Sequence, residues 1–265
     1  MLIFKTVVVV LWFAAFFIGE RLRPANKTLA ATAEENSSGG GAALTAPRFR
    51  VGRNLGLWFC NVLISPLVVL PVSAWAAMNG LAWRGDWWTG VPAFVVDIVI
   101  LDFWIWCWHR ANHEVGFLWR FHEVHHLDET LDASTALRFH FGEVILSAFV
   151  RGGVVWFLGI PLETVIVFEA LVLAAAVFHH SNLALPEGLE RRLSRVIVTP
   201  EIHWVHHHAL RGDTDSRYGT IFSFWDRIFG TWTDMRRRDG MRIGVEGGRE
   251  RGLAGLLARP FRPRR

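Results

Sequence analysis

Cysteine is almost missing from this chain: there are two in 265 residues, Cys60 and Cys107. Both lie in apolar stretches and neither has a C-x-x-C partner, which excludes a disulfide framework and marks no redox compartment. Tyrosine occurs once, against fourteen tryptophans. A G-x-G-x-x-G turn, a flavin fingerprint and an H-P-G-G haem segment of the cytochrome b5 type are also missing. The sequence therefore offers no recognisable electron carrier of its own. Histidine is confined to the middle of the chain: all twelve fall between His109 and His208.

Apolar residues are plentiful, at 52%. Five runs approach the roughly 20 residues that a helix needs to cross a hydrocarbon core: Leu2 to Ile18, Leu55 to Met78, Val91 to Trp108, Val144 to Ile160 and Leu162 to Phe178. The last two meet at Gly159-Ile160-Pro161, a tight turn. So many runs in so short a chain argue against a soluble protein with buried helices. No A-x-A site precedes Glu20, so the first run reads as an uncleaved anchor. Residues 20–53 contain Arg21, Arg23, Lys27, Arg48, Arg50 and Arg53, whereas 79–90 hold only Arg84 beside Asp86. The positive-inside rule puts 20–53 in the cytoplasm and 79–90 outside, where Trp75, Trp83, Trp87 and Trp88 suit an interfacial belt. The third span then returns to the cytoplasm near His109, and the hairpin of the fourth and fifth brings His179 to the same face.

The histidines are clustered: His109-x3-His113, His122-x2-His125-His126, His179-His180 and His203-x2-His206-His207-His208. Residues three or four apart share a helix face, and neutral imidazole is the commonest metal ligand among side chains. One tetrahedral zinc cannot use so many, so the spacing points to a site with more than one metal. Solvated histidine tracts lack this helical spacing and are not threaded between apolar segments. Charged residues within the spans, Asp97, Asp102, Arg151, Glu163 and Glu169, carry a functional default, although Arg151 and Glu169 can pair across the hairpin.

Seven segments stand in order: HRANH at 109–113, LWRFHEVHH at 118–126, RFHFGE at 138–143, FHHSN at 178–182, TPEIHWVHH at 199–207, DSRYG at 215–219 and FSFWDRIFGT at 222–231. Together they resemble the fatty acid hydroxylase superfamily, also called the sterol desaturase family, of integral-membrane di-iron enzymes. The resemblance covers about residues 95–235. It implies metal ligands at His109, His113, His122, His125, His126, His180, His203, His206 and His207. It departs at Phe141, where the family often has proline after the histidine of the third segment, and at Ala176 and Ala184, where relatives carry further histidines. His140, Glu143 and Asp215 are read as supporting residues behind the ligands, and His179 and His208 as neighbours. Glu123, Asp128 and Asp226 are further candidates to hold ligand N–H groups.

The implied protein is an all-α membrane protein of about four or five transmembrane helices, with a cytosolic helical cap around a histidine-rich dimetal site. Residues 1–94 would supply N-terminal spans with a flexible linker at 31–47, residues 95–235 the catalytic domain, and 236–265 a basic tail. The implied activity is hydroxylation or desaturation of a lipid or sterol-like substrate. It would use two iron ions, O2 and a separate electron donor of ferredoxin or cytochrome b5 type. Arg110 and Arg120 are candidates to dock an acidic donor.

Two rival readings are open. His122-Glu123-Val124-His125-His126 matches the H-E-x-x-H signature of zinc proteases, with Glu123 as general base; it leaves the other clusters unexplained. A non-enzymatic metal or haem carrier would place ligands at membrane depth rather than at span ends. The tail from Arg236 holds ten Arg against three acids, a net +7 in a chain of +4. That composition suits anionic membrane lipids rather than nucleic acid, and Gly252 to Ala258 within it reads as a short interfacial helix.

Overall fold

The computed structural model describes residues 2–26, 49–85, 87–238 and 240–262, so the linker expected at 31–47 lies outside the described residues. Among the described residues the architecture is all-helical, with isolated bridges and no strand. The first six helices are α1 (Leu2–Leu22), α2 (Arg50–Met78), α3 (Gly90–Glu114), α4 (Gly116–His126), α5 (Phe141–Leu158) and α6 (Leu162–His180). Beyond them come α7 (Glu187–Leu193), α8 (Pro200–His206) and α9 (Leu253–Ala258). Four of these, α2, α3, α5 and α6, are long and apolar enough to cross a membrane. α1 lies along α6, where the Trp12 indole donates to Ala174 O at 3.0 Å.

Local sequence explains the irregularities. Within α2 the backbone widens into a π turn over Ser65–Val69. Pro66 lacks an N–H and its ring collides with a carbonyl four residues back, and a π turn relieves that collision. α5 ends where Gly159 takes a left-handed φ of 61°; a Cβ there would stand 2.8 Å from Leu81 O. Val115 adopts an extended conformation and separates α3 from α4.

The long helices turn apolar side chains outward. Leu67 is 72% exposed and Val91 74%, which fits helices solvated by lipid. Their inward faces close around Leu101, Val155, Ile160, Val165 and Phe168. Four of the five charges within the spans have partners, and Glu163 is exposed. Arg84 grips Asp97 through two bonds of 2.8 and 2.9 Å, and Arg151 pairs with Glu169 at 2.8 Å. Asp102 accepts the backbone N–H groups of Ile221 and Phe222 and the Trp225 indole. Its role is to tether a distant loop.

The 79–84 loop meets the α5–α6 turn, with Leu81 N–H donating to Trp156 O at 2.8 Å and the Trp83 indole to Phe157 O at 2.7 Å. The histidine-bearing ends of α3 and α6 lie at the opposite end of the bundle, and α4 and α8 cover them. α9 docks on the protein. Leu256 is fully buried with Leu57, Val124 and Leu127, because three apolar side chains already form a slot for it between α2 and α4.

Candidate metal centre

Nine of the twelve histidines converge in two groups. His109 and His113 from α3, His122 and His126 from α4, and His206 from α8 form one; each offers a ligand atom, all within 4.8 Å of one another. His125, His180, His203 and His207 form the other under the same limit. Helical phase makes the division. His122 and His126 are four apart and share a face, while His125 sits about 100° back around α4 and looks the other way. His203 and His207 repeat the four-residue spacing for the second group, while His206 turns to the first. The groups touch where the His126 and His207 rings stack at 4.2 Å.

Six rings are oriented from behind. The Nδ1–H groups of His109, His206, His125 and His180 donate to the carbonyls of Tyr218 (2.8 Å), Ser216 (2.7 Å), Arg138 (3.1 Å) and Ala176 (2.7 Å). His122 donates to Glu143 Oε1 at 2.9 Å and His113 to Asp215 Oδ1 at 3.2 Å. A carbonyl can only accept, so each of those rings carries its proton on Nδ1 and turns the Nε2 lone pair inward. Burial holds the His206 imidazole down at about 3 and keeps His125, His126, His203 and His207 well below the ordinary histidine range. These rings are neutral at physiological pH, the form that binds metal.

The donor set fits a metal. His113 Nε2 and His206 Nε2 are buried with no hydrogen-bond partner, a cost that a bound cation would relieve. In the second group Nε2 faces Nε2 at 3.0–3.1 Å, from His180 to His203 and from His203 to His207. Two nitrogens bound at right angles to one ion at about 2.1 Å would stand about 3.0 Å apart.

The other expected residues are elsewhere. His140 caps α5, its Nδ1 accepting the Gly142 N–H and its Nε2 donating to Leu257 O, and it joins neither group. His179 packs on the His203 ring at 3.9 Å without joining a group. His208 is held by Asp213 at 2.7 Å. Glu123 pairs with Arg259 at 2.7 Å, and Asp128 binds Arg50, Asn54 and Thr135; neither touches an imidazole. Asp226 stands one step further back. It accepts from the Trp106 indole, from the Tyr218 and Gly219 amides, and from the Thr231 hydroxyl at 2.7–3.0 Å. It thereby fixes the loop whose carbonyls hold His109 and His206.

Sequence reasoning missed Arg138 and Glu250. Arg138 is fully buried, and its carbonyl positions His125. Its guanidinium binds Glu250 through bonds of 3.0 and 2.9 Å and Val124 O at 2.8 Å. The tail thus braces α4, with no sequence signal beyond a lone acid among arginines.

The sequence profile of the fatty acid hydroxylase family matches residues 94–231. This chain belongs to that family. It is 28% identical over 196 residues to the ornithine lipid hydroxylase OlsE of Rhizobium tropici, covering 74% of this chain and 58% of that protein. It is 31% identical over 152 residues to human alkylglycerol monooxygenase, covering 57% of this chain and 32% of that one. A very-long-chain aldehyde decarbonylase of Oryza sativa subsp. indica is 33% identical over 153 residues, covering 56% of this chain and 58% of that one. The chain therefore spans less than two thirds of these relatives. No solved structure matches it. Family and helices together make it an integral membrane protein with a metal-binding histidine site.

Glu143→Gln tests the anchoring. Losing the charge behind His122 is expected to weaken metal retention about 10–100-fold, read by chelator competition on the purified protein. Unchanged retention would make Glu143 a helix-terminal carboxylate only.

Proposed function

We propose that the protein is a membrane di-iron oxygenase that uses O2 and electrons from a separate donor to hydroxylate or desaturate a lipid or sterol-like molecule. One observation carries the proposal: nine buried histidines converge in two adjoining groups. Five would hold one iron and four the other. Iron bound there supplies the reduction of O2 and the cleavage of an unactivated C–H bond.

The chain's own residues do the rest. Carbonyls of Tyr218, Ser216, Arg138 and Ala176 fix the rings so that no reorientation is needed. Glu143 and Asp215 make their imidazoles stronger donors, and the burial of all nine keeps bulk water away. The positive-inside argument assigns this end of the bundle to the cytoplasm. An apolar substrate would enter from the bilayer, with O2 and electrons arriving from water. The relatives named ornithine lipid hydroxylase and alkylglycerol monooxygenase support a lipid substrate. Loss of a first hydrogen is common to hydroxylation and desaturation, so both belong to this reading. Ten arginines in the tail suit anionic lipids at the same face.

The test compares lipids from cells with and without the protein under oxygen. One species is expected to gain oxygen or lose two hydrogens; identical lipids with the protein present would contradict the proposal. Glu123→Ala addresses the protease alternative. Because Glu123 is spent on a partly exposed pair with Arg259, lipid oxidation should stay within about fivefold of wild type. Peptide hydrolysis by wild type that vanishes in this variant would favour the protease.

A further inference from the structure

Where α6 ends, a half-open cavity of about 350 Å³ is lined by Leu183, Leu185, Glu190, Glu201, Arg237 and Arg238. It is built on the elements that carry the second histidine group: Leu183 follows His180 by three residues, and Glu201 precedes His203 by two on α8. Arg237 forms a fixed wall, donating to Leu183 O at 3.1 Å and lying 3.5 Å over the Trp204 ring. Glu190 gives one oxygen to the Thr199 hydroxyl. Burial and the charge of Glu201 raise the Glu190 carboxyl, while the Thr199 hydroxyl and the charge of Arg237 lower it; both carboxylates line the one cavity, a placement that suits a cation between them. Arg238 is exposed at the rim and Glu201 is half-buried. Among the described residues neither side chain has a hydrogen bond or ion pair.

Charges of both signs around one cavity select a ligand that carries both. A simple cation would leave Arg238 unanswered, a simple anion would face two carboxylates, and an uncharged group would satisfy neither. The size is at the small end for a ligand pocket and enough for a headgroup, and the charged lining disfavours an acyl chain. We propose that this cavity binds the zwitterionic headgroup of the lipid substrate, with its ammonium between Glu190 and Glu201 and its carboxylate or phosphate at Arg238. The proposal rests on the lipid-oxygenase reading for the identity of the molecule that carries the headgroup.

Calorimetry on the iron-loaded full chain in detergent provides the test. The probes are N-hexanoyl-ornithine, dihexanoyl phosphatidylethanolamine, and forms of the first with the ammonium acetylated or the carboxylate methylated. Each capped form is expected to bind about tenfold more weakly than its parent. Glu201→Gln should remove the penalty for acetylation, and Arg238→Gln the penalty for methylation, both with iron content unchanged. The tighter of the two zwitterions identifies the anionic group as carboxylate or phosphate. Equal binding of parent and capped forms to wild type, or both penalties surviving in both variants, overturns the proposal. Binding requires no turnover, so the two readings fail separately. Selective headgroup binding without lipid oxidation would sink the oxygenase reading alone, and lipid oxidation with indifferent binding would sink this one.

Discussion

His206→Ala is expected to lower lipid oxidation at least about 100-fold at matched protein level, and to reduce the metal held per chain. The His206 ring sits 4.5 Å from His109, 4.7 Å from His113 and 4.9 Å from His126. Its Nε2 is buried and aimed at that space without a partner. His109 and His113 are themselves held, by Tyr218 O and Asp215, so neither is free to swing in as a replacement. His208→Ala is the control, because that ring is tied to Asp213 and lies outside both groups. Full activity in His206→Ala, or equal loss in His208→Ala, would contradict the assignment.

Asp226→Ala should have the largest structural effect. The carboxylate is fully buried and satisfies two backbone amides, an indole and a hydroxyl. Removing it strands those donors at about 1–3 kcal/mol each where no water enters, so a loss of at least about 3 kcal/mol is expected. Iron should fall as well, since Ser216 and Tyr218 present their carbonyls from the same loop. Asp226→Asn keeps an acceptor oxygen and should recover part of the stability. A melting temperature and an iron content both unchanged in Asp226→Ala would refute this account of the loop.

Much of the membrane part was legible because apolar length is a direct physical requirement of the bilayer. The runs ending near Met78, Trp108, Ile160 and Phe178 correspond to α2, α3, α5 and α6. The pairing of Arg151 with Glu169 across the hairpin was legible too. The two histidine groups were legible as clusters but not as a partition. Which ring faces which group depends on the rotation of α8, set by Trp204 and Val205 packed with Leu131, and of α4, set by Val124 packed with Leu57 and Leu256. Supports made by main-chain carbonyls have no side-chain signature, so those of Arg138 and Ser216 were invisible. Glu123 and Asp128 read as ligand supports for their nearness in sequence, but Arg259 and Arg50 claim them. α9 read as interfacial from composition alone, since its slot is built by residues about 130–200 positions away in sequence.

The central claim is that nine histidines form one site for two irons, and metal analysis of the purified full chain tests it most directly. About two irons per chain are expected, falling to about one or fewer in both His206→Ala and His203→Ala, which remove a donor from different groups. A single zinc per chain, or iron that survives both substitutions, would contradict it.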